Sequence, residues 1–252
     1  MFVTPRQGLS SMVDAVAARL PQGAVRLDAA VEGLERSPEG PWLLHGPGLP
    51  DDPAQRTFDA VVLATSATAA SGLLAPLDAE LGRLLGDIEH SGTAIVSVGF
   101  RREQISHPMN AMGAVVPAIE KSPILAVSFS SQKYVHRAPD GCVLLRAFVG
   151  GARQPELARM SEEQLRPLVL EHLDRLLGLR GDPVYCRTAN WPNTMPQYHV
   201  GHKTVVAQIK ARAKTLPGIA LAGNYLQGVG IPHCIDTGQQ AAESALAACA
   251  AS

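Results

Sequence analysis

The sequence predicts a mixed α/β chain built on two sheets. Residues 58–64 form an apolar run broken only by Asp59, the pattern of a strand buried on both faces. Residues 93–100, 124–130 and 142–149 have the short, β-branched character of strands in a second sheet. Leu165, Leu168, Val169, His172, Leu173, Leu176 and Leu177 recur at helical spacing behind a Ser161/Gln164 capping box, which predicts a strong amphipathic helix.

The remaining elements follow in order. Leu9, Met12, Val13, Val16, Ala17 and Leu20 give a first helix one apolar stripe, and Pro21-Gln22-Gly23 ends it. No formed domain is expected before that helix. A strand is expected over 24–36, where Val25, Leu27, Ala29 and Val31 alternate with Arg26, Asp28 and Glu32, and 42–45 is its hairpin partner. Residues 46–53 are a Gly/Pro/Asp loop. Thr65-Ser66-Ala67 turns the chain into a short helix. Further on come a strand at 183–190, a helix at 204–214 and a short strand at 219–222 ending in Gly223. A last helix starts near Thr237 with a second capping box to Gln240. The chain ends are expected to share one domain, residues 1–88 and 192–252, with 89–191 forming another, which needs close crossings between the two segments.

Composition narrows the function. The 252 residues carry a formal net charge of −1, and the longest basic cluster is Arg101-Arg102, so no nucleic-acid partner is expected. Four cysteines with no C-x-x-C suit a reducing compartment and give neither a disulfide scaffold nor a zinc site. His199 and His202 form an H-x-x-H without a third ligand nearby, so no metal site is expected. Arg6 and Asp14 interrupt any signal-peptide core. Residues 60–77 are uncharged, yet their Ser, Thr, Gly72 and Pro76 mark strand, loop and short helix, not a membrane span. The expected location is cytoplasmic, with peripheral contact at the cytoplasmic face of the membrane left open. No G-x-S-x-G or other nucleophile motif occurs.

The most informative stretch is Leu221-Ala222-Gly223-Asn224-Tyr225-Leu226-Gln227-Gly228-Val229-Gly230-Ile231-Pro232-His233-Cys234-Ile235-Asp236-Thr237-Gly238. Glycines between a buried strand and a helix let backbone pass close to a flat or charged group. The helix amino terminus adds free N–H groups and partial positive charge. That combination suits an electron-rich ligand, although on spacing alone an ordinary strand–loop–helix turn is the commoner explanation.

This stretch resembles the closing signature of the protoporphyrinogen oxidase family, within the flavin amine oxidases: aliphatic-Ala-Gly, four residues, then Gly-Val-Gly-Ile-Pro-x-Cys-Ile. Other segments resemble the family in order: Gln7-Gly8-Leu9, Val31-Glu32-Gly33-Leu34, Asp59 to Thr65, Ser130 with Arg137 to Gly141, Phe148-Val149-Gly150-Gly151, and Trp191 with Met195 to Tyr198, Gly201 and His202. The resemblance implies part of a doubly wound FAD-binding domain (1–88 and 192–252) joined to part of a mixed-sheet substrate domain (89–191). It implies FAD as cofactor, with the backbone of Val229, Gly230 and Ile231 near the flavin, Val31 near the adenine end and Trp191 beside the ring system. Phe148 is expected against a tetrapyrrole macrocycle, with plain core packing as its other reading. No residue is assigned as an acid–base catalyst.

The implied activity is oxygen-dependent oxidation of protoporphyrinogen IX to protoporphyrin IX. A coproporphyrinogen III oxidase of the same fold is the alternative, and a non-catalytic half-domain is a third. The family's G-x-G-x-x-G turn is absent: Gly46-Pro47-Gly48 and Gly228-Val229-Gly230 are each followed by the wrong residue for it. The chain thus resembles a carboxyl-terminal half, expected to be inactive alone and to pair with a second copy or a separate amino-terminal half.

Overall fold

The computed structural model describes residues 3–37 and 40–251. The chain divides into two compact units, Met1–Glu89 with Pro196–Ser252, and His90–Met195.

The first unit opens with α1 (Ser10–Ala17), which has no buried residue. Its apolar stripe is as the sequence predicts, but no described residue buries it: Leu9, Met12, Val13, Val16 and Leu20 are all exposed. The strand expected over 24–36 is shorter. Only β1 (Gly33–Arg36) is extended and paired, with β2 (Trp42–His45) as its antiparallel hairpin partner and β3 (Thr57–Phe58) beyond. Val31 therefore stands just before the strand, half-buried against the unit's core. The stretch before it turns at Asp28, whose φ is +55°. A Cβ on Gly46 would lie 2.0 Å from the Ala30 carbonyl oxygen, and one on Gly48 1.9 Å from that of Asp28. The Gly-Pro-Gly loop is thus glycine-rich because backbone 28–30 runs against it.

β4 (Val61–Leu63) is the short centre of the 58–64 run. It is not buried on both faces: Leu63 is buried, while Val62 is 39% exposed. Ser66 caps α2 (Ala67–Leu74), its Oγ accepting from Ala69 N at 3.2 Å. Gly72, expected in a loop, lies inside this helix. Asp78 caps α3 (Ala79–Gly86) by accepting from Leu81 N at 2.9 Å.

The second unit is an antiparallel sheet with a helix on one face. It comprises β5 (His90–Arg101), β6 (Gly113–Val115), β7 (Ile124–Phe129), the single turn α4 (Ser130–Lys133), β8 (Cys142–Gly150), α5 (Glu162–Leu177) and β9 (Tyr185–Pro196). The strand order is β6-β7-β8-β5-β9. The Ser161/Gln164 capping box forms as predicted. α5 packs Leu165, Val169, Leu173 and Leu177 onto Val96, Val98, Phe100, Val143, Leu145 and Ala147. Burying side chains of this size contributes roughly 1.5–3 kcal/mol each relative to exposure.

The chain then completes the first unit with α6 (His202–Ala213), β10 (Ile219–Leu221) and α7 (Ile231–Ala251). β10 pairs in parallel with β4. Trp42 anchors this unit: its ring is buried and Nε1 donates to the Pro217 carbonyl at 3.0 Å. Among the described residues no helix is long and apolar enough to cross a membrane.

Candidate functional site

The Gly-rich turn connects β10 directly to α7. The helix starts at Ile231, not near Thr237. Pro232, its second residue, explains the difference: proline has no N–H to lose in a first turn and its fixed φ is helical. Cys234 N then donates to the Gly230 carbonyl at 3.1 Å, closing that turn. Thr237 is inside the helix instead of capping it. Its hydroxyl donates to the Cys234 carbonyl at 2.9 Å and accepts from Gly223 N at 3.2 Å, tying the start of the turn to the helix.

Side chains hold the rest of the turn. The Tyr198 hydroxyl donates to the Asn224 carbonyl. His202 stacks on Tyr198 at a centroid distance of 4.3 Å, and its Nε2 lies 3.0 Å from the Tyr225 carbonyl oxygen. Gln227 and Gln240 both donate to Asp236, each at 2.9 Å. Burial, and secondarily the charge of Cys234, push the Tyr198 phenol above its ordinary pKa, so it stays a neutral donor. His199, set aside as a ligand on sequence, lies 2.8 Å from Glu89 through Nε2.

Within this frame the three residues named from sequence stand together. Val229 is 46% exposed and Ile231 44%. Between them, a Cβ on Gly230 would meet only His233 Nδ1 at 3.5 Å and Pro232 Cδ at 3.7 Å. The turn therefore presents two exposed aliphatic side chains around a glycine, at the amino end of a 21-residue helix. That is a surface suited to a flat, electron-rich group. Val31 belongs to the same unit.

Trp191 and Phe148 belong to the second unit. Trp191 is 53% exposed on β9. Gly92 lets that strand pass closely, since a Cβ there would lie 2.8 Å from Pro192 Cα. Phe148 is partly exposed on β8, on the face away from α5, with the Arg146 guanidinium 5.8 Å from its ring centroid. Its neighbours in the strand, Ala147 and Val149, are the ones buried under α5, so Phe148 is not part of that core.

Fold and turn together define an α/β protein in which a glycine-rich turn leads into a helix amino terminus. The chain belongs to the flavin containing amine oxidoreductases, whose family model matches residues 2–246. It is 33% identical over 248 residues to coproporphyrinogen III oxidase of Propionibacterium freudenreichii subsp. freudenreichii, covering 97% of this chain and 45% of that protein. It is 27% identical over 247 residues to the mitochondrial protoporphyrinogen oxidase of Nicotiana tabacum, covering 94% of this chain and 49% of the other. A solved structure from Exiguobacterium sp. 255-15, provisionally named protoporphyrinogen oxidase, superposes with a TM-score of 0.84 at 29% identity, covering 94% of this chain and 50% of that one. The chain thus spans about half the length of the relatives it matches.

Proposed function

We propose that this chain supplies part of the flavin edge and part of the substrate face of an FAD-dependent porphyrinogen oxidase in tetrapyrrole biosynthesis. The first unit is its partial FAD-binding domain and the second its partial substrate-binding domain. The observation that carries the reading is the open glycine turn: among the described residues a Cβ on Gly230 would meet nothing closer than 3.5 Å, and the exposed Val229 and Ile231 frame it. Bound there, a flavin supplies the two-electron chemistry of removing hydrogen from the macrocycle. The chain's residues do the placing. The α7 amino terminus directs partial positive charge at the cofactor edge. Tyr198, His202 and Thr237 fix the turn, and Val31 serves the adenine end. Trp191 flanks the ring system, and Phe148 offers an aromatic face to the substrate.

The residues present fit one edge of FAD only. No G-x-G-x-x-G occurs to hold the diphosphate. Activity in this reading requires a polypeptide that carries that motif, so the chain alone purifies without flavin colour. Fusing it behind the amino-terminal part of the Propionibacterium coproporphyrinogen III oxidase tests the proposal: the product should bind flavin and form fluorescent porphyrin. Stoichiometric flavin on the isolated chain, or a well-folded fusion without flavin, would sink it.

Protoporphyrinogen IX is the first substrate in this reading, with dioxygen as acceptor. Coproporphyrinogen III is favoured by one observation, the 33% identity to a coproporphyrinogen III oxidase against 27% to the tobacco protoporphyrinogen oxidase. Product analysis of the fusion with each porphyrinogen decides between them. Peripheral attachment to the cytoplasmic face of a membrane belongs to the same proposal, tested by flotation with anionic vesicles.

A further inference from the structure

The face of the second unit's sheet that α5 leaves uncovered carries an organised row of polar residues. Arg146 on β8 points away from α5, because Leu145 and Ala147 on either side are fully buried beneath that helix. In the sheet register Arg146 stands opposite Ser128 of β7 on one side and Ser97 of β5 on the other. The next strand across is β9. Val184 N donates to the Gly99 carbonyl at 2.9 Å, and the absent side chains of Gly99 and Gly92 face Tyr185 and Pro192 respectively. Counting inward from both ends of that antiparallel run puts Arg187 beside Ser97. Cys186 packs on the α5 side, so strand alternation turns Arg187 to the open face.

The row across the sheet therefore reads Ser128, Arg146, Ser97, Arg187. Both arginines are exposed, and neither has a carboxylate within ion-pair distance among the described residues. Two strand spacings separate them, roughly 10 Å. One residue pair along the strands, the same face carries Phe148, with Ile95 and Ala126 opposite it. An apolar surface thus adjoins two guanidinium groups that lack a carboxylate partner among the described residues, with hydroxyls beside them. Guanidinium groups bind carboxylates in a bidentate fork, and small serine side chains leave the forks unobstructed.

We infer that Arg146 and Arg187, bridged by Ser97, form a carboxylate-binding row that docks two acidic side chains of the macrocycle while Phe148 lies against its face. The inference rests on the porphyrinogen reading above and specifies how the substrate is oriented: acidic edge over the row, ring over the aromatic. It adds positioning residues, not a catalytic group.

The test uses the 252-residue chain and coproporphyrin III, the aromatic macrocycle with four carboxylates, with its tetramethyl ester in the same detergent as the uncharged arm. Binding is followed by quenching of porphyrin fluorescence. Arg146→Gln and Arg187→Gln should each weaken the acid roughly ten-fold, about 1.4 kcal/mol, leave the ester unchanged, and flatten the salt dependence. Arg175→Gln, an exposed change on α5 on the other face, serves as the control and should leave both unchanged. Acid binding that is unaffected by both substitutions, or an ester bound as tightly as the acid, overturns the carboxylate row while leaving the porphyrin reading intact. If the unsubstituted chain binds neither acid nor ester, the substrate-face reading itself fails and takes the row with it. Both arginines are exposed, so the variants keep the fold, which a matching thermal melt verifies.

Discussion

The imidazole of His233 folds back over Gly228, so that a Cβ on that glycine would lie 2.2 Å from Nδ1 and 2.6 Å from Cγ. Gly230 is under no such pressure, with its nearest neighbour at 3.5 Å. The two glycines of the same turn therefore stand in different surroundings, one pressed by a side chain of the chain itself and one with room for a Cβ.

That difference gives a paired prediction. Gly228→Ala should drive His233 from its position, with a stability loss of about 1 kcal/mol, the scale of an unfavourable rotamer. His233→Ala should relieve most of it, so the double variant is less than additive in thermal melts. Gly230→Val, at the amino-cap position of α7 where valine caps worse than glycine, should cost no more than about 1 kcal/mol in the melt. In the fusion that carries a G-x-G-x-x-G segment it should lower the flavin-to-protein absorbance ratio, with affinity down roughly ten-fold, or about 1.4 kcal/mol. Gly72→Val, in α2 with open space around it, is the control and should keep full flavin. Full flavin and full turnover in the Gly230 variant would make the turn a plain connection. An equal loss in both valine variants would also defeat the assignment, since general misfolding then explains it.

The local signals that could be read in the sequence were those with chemistry confined to a few residues. Ser161 with Gln164 predicts the start of α5, and the structure forms that box. The strands at 93–100, 124–130 and 142–149 lie within or largely within β5, β7 and β8, because their alternation is enforced by one covered face. Thr237 and Gln240 matched the same capping pattern and misled, since a proline five residues earlier can open the helix and the side chain of an interior threonine can bond back to its own carbonyl row. The alternation at 24–32 misled for a different reason: strand pairing needs a neighbour, and Val25 and Leu27 are exposed with none among the described residues. The start of α3 also carries a signal in the sequence, Asp78 followed by Glu80 in the first turn. The row through Arg146 was not legible at all. It exists only once the register sets Ser97, Ser128 and Arg146 side by side, and register is a property of the sheet, not of any one strand.

The exposed stripe of α1 has a solution consequence. Val13 is 65% exposed and Val16 61%, on one face of the helix, and β4 adds the exposed Val62 to the apolar surface of the same unit. Exposed apolar surface of this kind favours association. The isolated chain should therefore show concentration-dependent self-association by analytical ultracentrifugation. Val13→Glu with Val16→Glu should shift it toward monomer, while the change in stability stays within about 0.5 kcal/mol, as for other exposed sites. A monodisperse monomer of the unsubstituted chain at high concentration would remove α1 as an association surface.

Asp78 ties two helices of the first unit through two separable interactions. Its carboxylate caps α3 by accepting from Leu81 N at 2.9 Å, and it also accepts from Arg212 Nε of α6, at 3.0 and 2.9 Å to its two oxygens. The Arg212 guanidinium first, and the Leu81 amide second, hold the Asp78 carboxyl below its usual range. The sign of the linkage follows from that direction. A folded-state pKa below the unfolded value means that the contribution is complete above the ordinary carboxylate value near ~4, and is lost as pH falls through the lower folded value. Asp78→Asn keeps the cap, because asparagine caps as well as aspartate, and removes only the ion pair. Asp78→Ala removes both and should cost about 1 kcal/mol more, the worth of a cap. The melting-temperature gap between the unsubstituted chain and Asp78→Asn should be constant at neutral pH and close on acidification below pH ~4, while the gap between the Asn and Ala variants persists. A gap between the native chain and the Asn variant that widens toward acid pH would reverse the sign and show that Arg212 does not stabilise the ionised carboxylate.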